Sequence, residues 1–400
     1  MEKRFIGVTR FSVVATKNSG FRISTTDHDN YLRELFSDDR LRSRVAIFEQ
    51  LSIPALKEFA RKHHFTHVVQ VSPQLPKKWR EKLDKLAEAN SFIKIVEVDN
   101  ENMTDSVKAV VRSWGRNFDG LFTWFRLDDD DFLSPDYLDE VEFLTTEDHI
   151  GYAISFGRVL SACYMEGAFT NVHKVLSPHI AIGQAFVCYS NNRKNIFVCN
   201  DQIPHHIVNQ FHPVIVNDLV PFGFWTRHPS QDSHTGSTKV GALLSNLQAD
   251  LARHPFAKDS EIERRFPQLW ETINDRSSPR SNDTPSKVMD LTNSEWIVDP
   301  LSDWPTHEER IVRCRYTLDF AGPKHAGTTL QLDFEDKESV SGQFPRDEGR
   351  GDYRRLFVNE DGNGTIIFPL NSANLSRIRL QPDNGASRFT RARLEFTALT

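Results

Sequence analysis

Cysteine is scarce. The 400 residues hold four, Cys163, Cys188, Cys199 and Cys314, and no two form a C-x-x-C pair. That excludes a disulfide framework and a cysteine zinc site, and it points to buried thiols in a reducing compartment. Long apolar runs are missing, because no stretch approaches the roughly 18 residues a membrane helix needs. The opening MEKRFIGVTRFSVVATKNSG has no apolar core of secretion-signal length. Excess positive charge is absent too. Lys and Arg total 49 against 55 Asp and Glu, a net charge of -6, so nothing global points to nucleic acid. Heptads and internal repeats are also lacking. What remains, 38% hydrophobic and 26% charged, is an ordinary globular composition whose length suits two domains. A cytoplasmic protein is the expectation. Attachment to the inner face of a membrane stays open, although no basic amphipathic helix supports it.

The first half alternates strand-like and helix-like segments. RFIGVTRFSVVA, THVVQVS, FIKIVEVD and LFTWFRL read as strands. DDRLRSRVAIFEQLSIPALKEFARKH, PKKWREKLDKLAEAN and MTDSVKAVVRSWGRN read as helices, the first with a stop and restart at Pro54. The rhythm predicts an α/β layer fold with a mostly parallel, Rossmann-like sheet, in which ligands bind beyond the carboxyl ends of the strands. Near Ala257 the texture changes. A helical segment, SEIERRFPQLWETIN, precedes a Ser-, Pro- and Asp-rich linker, DRSSPRSNDTPSK. Beyond it lie short alternating strands such as IVRCRYTLDF, TTLQLDFED and RFTRARLEFTAL, the pattern of an antiparallel β-sandwich. The expected domains are 1–256, a helical and linker segment 257–287, and a β-sandwich over 288–400. Trp296 and Trp304 near its start could stack on sugar or pack against the linker.

One motif carries chemistry. Asp128, Asp129, Asp130 and Asp131 follow the apolar LFTWFRL, with Ser134-Pro135 placed to start a helix. Four adjacent carboxylates repel one another. Arg126 and solvent can relieve part of this; a divalent cation would relieve more. Mg²⁺ takes one or two carboxylates with phosphate oxygens and water. In an extended segment Asp128 and Asp130 face one way and can share an ion, with Asp129 and Asp131 facing elsewhere. A solvated acidic turn is the plain alternative. An EF-hand does not fit, because its Gly and distal Glu are missing. A second cluster, FWTRHPSQDSH over residues 224–234, gathers Arg227, His228, Asp232 and His234.

The acidic motif resembles the D-x-D motif of GT-A nucleotide-sugar glycosyltransferases. The ordered set FSVV, RLRSRVAIFEQLSIPALKEF, VVQVSPQLPKKW, WFRLDDDDFLSPDYL and PFGFWTRHPSQDSH is similar to a bacterial rhamnosyltransferase family over roughly the first 235 residues. The resemblance does not reach the C-terminal β-domain. It implies that Asp128 and Asp130 meet the ribose and the metal–diphosphate, with Asp129 in the same motif and Mn²⁺ or Mg²⁺ as cofactor. It implies nucleotide contacts from Thr9, Arg10 and Phe11, and a base contact from Ser72. Phe11 reads as core ahead of base-stacking, and Arg10 also reads as the partner of a surface acid. Arg112 is either a diphosphate ligand or a surface helix residue. His228 or His234 would complete the metal site, Asp232 would act as general base, and Arg227 would hold the diphosphate. Each of these also reads as part of a polar surface loop.

The resemblance further implies a nucleotide-sugar donor and a carbohydrate or lipid-linked glycan acceptor in surface-polysaccharide synthesis, with inverting transfer and no nucleic-acid partner. Two rivals stand beside it. A Mg²⁺-dependent phospho- or nucleotidyltransferase also needs clustered carboxylates, but GVTRFS offers no Walker-type loop. A non-catalytic glycan-binding protein would keep a degenerate transferase fold. On the metal reading, Asp130→Ala should abolish metal-dependent turnover and leave folding nearly unchanged, and full activity of that variant in EDTA would sink the reading.

Overall fold

The computed structural model describes all residues except 15–27, 100–101, 116–117, 192–195, 200–202, 232–238, 275–285, 293, 302–303, 305–309, 321–327, 349–350, 372–373, 383–388 and 400. The chain forms two compact units that alternate along the sequence. Unit 1 comprises Met1–Leu160, Lys174–Thr226 and Ala257–Glu271. Unit 2 comprises Ser161–His173, Arg227–Phe256 and Thr272–Thr400. One of the crossings, at Ala257, falls where the sequence changes texture. Most of the expected linker lies outside the described residues.

In chain order the strands up to the second unit's sheets are β1 (Glu2–Phe11), β2 (Phe65–Val71), β3 (Ile93–Glu97), β4 (Gly120–Asp128), β5 (Phe132–Leu133), β6 (Ala153–Ser155), β7 (Arg158–Met165), β8 (Ala168–Phe169), β9 (His173–Leu176), β10 (Ala185–Ser190), β11 (Ile196–Phe197), β12 (Val214–Val216) and β13 (Gly223–Arg227). Unit 1 is built on a sheet ordered β12-β6-β10-β4-β1-β2-β3, with β11 beside β10. Strands β3, β2, β1 and β4 are parallel neighbours. Strand β10 runs against β4, β6 and β11, and β12 is parallel to β6. The sheet is therefore mixed, through one reversed strand. That reversal closes the parallel block at β4 and makes it an inner strand, buried on both faces.

The helices in its first segment, Met1–Leu160, are α1 (His28–Leu35), α2 (Asp38–Ile47), α3 (Ile53–Lys62), α4 (Lys77–Glu88), α5 (Met103–Ser113) and α6 (Tyr137–Leu144). The expected break at Pro54 takes another form. Between α2 and α3 the chain makes a π turn, Phe48–Ser52, in which the Ile53 N–H reaches back five residues to the Phe48 carbonyl. Pro54 has no N–H to give, and widening the ladder just before it lets the helix run on through the proline. Helix α6 starts at Tyr137, not at Pro135, because Phe132 and Leu133 are drawn into strand pairing with Phe224 and Gly223 first. Phe132 stacks on Phe224 with ring centroids 4.5 Å apart.

In unit 2, α7 is Val240–Leu251; α8 (Asp259–Arg265) returns to unit 1, and α9 (Pro267–Asn274) begins there. The later strands are β14 (Ser286–Leu291), β15 (Ile297–Val298), β16 (Arg310–Phe320), β17 (Thr328–Phe334), β18 (Arg346–Asp347), β19 (Gly351–Leu356), β20 (Asn363–Leu370), β21 (Leu375–Pro382) and β22 (Phe389–Ala398). They form two antiparallel sheets, β14-β22-β16-β20 and β15-β21-β17-β19-β18. One hydrophobic cluster draws on both, with Cys314, Leu394 and Phe396 from the first and Leu330, Leu332 and Ile378 from the second. Trp304 is buried in that cluster and has no ring face for a sugar. The Trp296 ring is met by the guanidinium groups of Arg377 and Arg379, each 4.5 Å from its centroid. All four cysteines are free and buried. No described helix is long and apolar enough to cross a membrane.

A buried histidine sits between β1 and β2. Gly7 faces His67 across the ladder, and a Cβ at Gly7 would lie 2.3 Å from its Nδ1, so only glycine leaves room for the ring. Its Nε2 is 3.0 Å from the Thr9 hydroxyl. Burial pulls the His67 pKa down to about 3, so the imidazole is neutral in the folded chain. The folded state then binds fewer protons than the unfolded one wherever an ordinary histidine is charged. Stability from this site is complete above about pH 6.5 and is lost as pH falls toward 3, on the order of 1 kcal/mol per pH unit. We expect His67→Gln to flatten that part of the stability–pH curve, read by urea denaturation between pH 7 and 4.

Candidate active site

The acidic run lies where the parallel block ends. Asp128 is the last residue of β4 and pairs in register with Arg10 of β1. The chain then turns rather than staying extended: the Asp131 N–H reaches the Asp128 carbonyl at 3.3 Å. The four side chains separate into two sets. Asp129 and Asp131 are buried, whereas the Asp128 and Asp130 side chains are 39% and 14% exposed.

The compensating charge comes from helix α2. Arg44 is buried on that helix and pairs with Asp129, and its Nη2 stands 3.2 Å from Asp130 Oδ2. The backbone N–H of Ser12 donates to the other Asp129 oxygen at 3.2 Å. Ser12 does this from a left-handed backbone, φ 49°, a conformation that costs free energy unless its surroundings hold it. From β1, Arg10 Nη2 lies 3.6 Å from Asp128 Oδ1. At the π turn the Ser52 hydroxyl donates to the Asp131 carbonyl at 2.9 Å. Thus α2 and the π turn grip the acidic turn at both ends.

Asp131 is the least comfortable of the four. Loss of water on burial raises its pKa well above the usual carboxylate value, and the charges of Asp130 and Asp128 push the same way. The Thr226 N–H, which donates to Oδ1 at 3.0 Å, and Arg44 pull in the opposite direction.

The other expected site residues are distributed as follows. Thr9 is fully buried and turned to His67, and Phe11 is buried against Phe48. Ser72 is buried, its hydroxyl accepting the Gln74 N–H at 3.1 Å. Arg112 is exposed on α5. Arg227 and His228 belong to unit 2. Arg227 Nη1 is 3.3 Å from Asp250 Oδ2, and His228 Nδ1 is 2.9 Å from the Ser230 hydroxyl. Asp232 and His234 lie outside the described residues. Among the described residues no three His, Cys, Asp or Glu side chains converge as a metal cage. Two oxygen donors at the end of a buried strand do fit Mg²⁺ or Mn²⁺, which complete their shells with phosphate and water.

Arg44, Ser12, Ser52 and the burial of Asp131 escape the sequence reading. For Arg44 there was a signal. Arg40 and Arg44 stand one helical turn apart beside Leu41, Val45 and Phe48, inside the apolar face of α2 rather than opposite it. The expectation for Asp130 also needs correction. It is largely buried beside Arg44, not solvent-facing, so its removal disturbs an ion-pair network; Asp128 is the cleaner probe.

A family model described as "Putative rhamnosyl transferase" matches residues 4–240. The chain belongs to that family. The match includes the acidic turn, Arg10 and Arg44, and it ends at the start of α7. Among solved structures, the mannosyltransferase PcManGT from Pyrobaculum calidifontis, in complex with GDP-Man and Mn²⁺, is 11% identical, with a TM-score of 0.28 over 67% of this chain and 69% of its own. TarS 1–349 from S. aureus, in complex with UDP, is 9% identical, with a TM-score of 0.24 over 68% and 71%. No curated protein sequence matches the chain.

Two outcomes follow. Arg44→Met leaves Asp129 buried without its partner and should cost about 3–5 kcal/mol of stability. Adding Asp129→Asn should recover part of the loss, and urea denaturation of the two single variants and the double variant measures the coupling. For Asp131 the raised folded pKa means its stability contribution is present below the ordinary carboxylate range and lost as pH rises through the raised value. Asp131→Asn should therefore raise the melting temperature relative to the parent more at pH 8 than at pH 5.

Proposed function

We propose that the chain is a metal-dependent, inverting glycosyltransferase that moves a sugar, rhamnose by its family, from a nucleotide donor to a carbohydrate or lipid-linked glycan acceptor. Its setting is bacterial surface-polysaccharide synthesis on the cytoplasmic side. Residues 1–256 would carry a GT-A-type catalytic fold, and the two C-terminal sheets would pack as a β-sandwich. The observation that carries the reading is the acidic turn at the carboxyl end of β4, inside the span matched by the family.

Its chemistry suits a departing nucleoside diphosphate. Asp128 offers the more accessible carboxylate, and Asp130 stands beside it in the turn. Together they would hold Mn²⁺ or Mg²⁺, which would supply positive charge to the leaving group. Arg10, partly exposed next to Asp128, is positioned to turn its guanidinium from carboxylate to phosphate, a ligand its planar fork also fits. Asp129 makes no such offer, because Arg44 and Ser12 occupy its oxygens. Its part is to fix the turn, so that its neighbours meet the donor without further ordering.

The test uses purified full chain with UDP-, GDP-, CMP- and dTDP-linked sugars, each with Mn²⁺, Mg²⁺ or EDTA. One nucleotide class should raise the melting temperature only with metal. Asp128→Asn should reduce turnover of that donor by on the order of 10²-fold or more, while changing stability by no more than about 0.5 kcal/mol. Full turnover of Asp128→Asn in EDTA would sink the proposal. Binding of a donor without any turnover would favour the degenerate binding protein. On the family resemblance, Asp232→Asn should lower turnover more than donor affinity; unchanged turnover removes it as the base.

A further inference from the structure

We propose that unit 2 binds a sugar bearing an oxyanion, in a cavity of about 170 Å³ lined by Asn246, Gln248, Tyr353, Arg354, Arg355 and Phe357. The site is independent of the donor site and lies in residues to which neither the family match nor the transferase reading assigns a role.

The observation that carries it is a buried guanidinium with no carboxylate. Arg354 lies in an apolar setting, 4.5 Å from the ring centroid of Phe344 and 5.5 Å from that of Phe368. Its N–H groups donate to the carbonyls of Gly241, at 3.2 and 3.3 Å, and Gln343, at 3.0 Å. Its Nε has no hydrogen-bond partner. Among the described residues no Asp or Glu pairs with it, and burial draws its pKa down to about 9. Carbonyl oxygens and aromatic faces carry only partial charge. They tie Arg354 to the start of α7 and to the turn at Gln343, but they leave a full charge uncompensated, which is rare in protein interiors.

Arg355, the next residue, is exposed and likewise has no acid partner among the described residues. Neighbouring strand residues point to opposite faces. Both nonetheless line one cavity, on the part of β19 that follows Gly351 and Asp352, the two residues β18 pairs. The nearby acid Asp352 does not serve them. The cations acting on its carboxyl are Arg346 and Lys337.

The remaining walls suit a sugar ring. Gln248 is fixed: its amide donates to the Leu244 and Ile367 carbonyls and accepts the Ile367 N–H. Tyr353 and Phe357 add aromatic surface of the kind that packs on the apolar face of a pyranose, with a polar handle on the tyrosine. The volume equals roughly five or six waters, enough for one ring and its acid group and too small for an oligosaccharide. A carboxylate at the sugar's C6 and a phosphate ester at the same place share the required chemistry, because the exposed guanidinium of Arg355 can donate to either from its planar fork, with the buried charge of Arg354 beside it.

The experiment uses full-length protein and four nucleotide-free probes: glucuronate, glucose 6-phosphate, inorganic phosphate and glucose. Melting temperature and titration calorimetry read binding. Glucuronate or glucose 6-phosphate should bind and raise the melting temperature, glucose should not, and the better of the two acids identifies the oxyanion. Ala249→Trp, placed on the exposed side of α7 at the cavity wall, and Arg355→Gln should each weaken binding tenfold or more. Asp128→Asn should leave it unchanged, which keeps this result separate from failure of the transferase reading. No binding by either sugar acid overturns the proposal. So does binding that survives both cavity variants, or inorganic phosphate binding as tightly as the sugar acids.

Discussion

The buried pair of Arg44 with Asp129 is the constraint on which unit 1 depends. A strand that ends in four aspartates cannot bring that end into a fold unless the charge is answered. Taking two ions out of water costs several kcal/mol each, and only close geometry with further hydrogen bonds offsets it. Arg44 supplies the geometry, and the Ser12 N–H supplies one of the further bonds. The rest follows from that pairing. Helix α2 must lie over the end of β4, β1 must be followed by a left-handed residue, and the π turn must bring Ser52 within reach of the Asp131 backbone.

Charge is thereby distributed by depth. Of the two buried carboxylates, Asp131 is held by a backbone N–H and its pKa is raised by burial; Asp129 is paired with arginine. The two nearer to solvent, Asp128 and Asp130, stand beside Arg10 and Arg44. The sequence shows four equivalent letters, and the fold gives them three different chemistries.

Much of this architecture was legible beforehand. The strands and helices of the first half, and the alternating C-terminal strands with Ala392, Leu394 and Phe396 inward, follow from periodicity, because burial imposes a period of two or near four on the residues themselves. The reversed strand β10 was not legible, since a run such as AFVCYS reads alike in either direction. The partners of the acidic turn were not legible either. Arg44 is 85 residues distant in sequence, and Ser52 is 79. Local pattern carries no record of which arginine will close on which aspartate. Trp296 read either as a sugar platform or as packing, and nothing local in its stretch names Arg377 and Arg379 of β21 as the groups that meet its ring.

The π turn before Pro54 has a consequence for how this region tolerates change in length. Each residue of a helix advances the side chains by about 100°. The single extra residue at Phe48–Ser52 sets the angular phase between Arg44 upstream and Ser52 at its end, the two groups that clasp the acidic turn from one continuous rod. A deletion there would restore regular winding, which is locally favourable, yet swing one clasp away from the aspartates. Point substitutions in this arm can be absorbed by repacking; a one-residue slip cannot. The irregular turn thus acts as a length standard, and it joins the reading frame of a helix to the spacing of charges about 80 residues downstream.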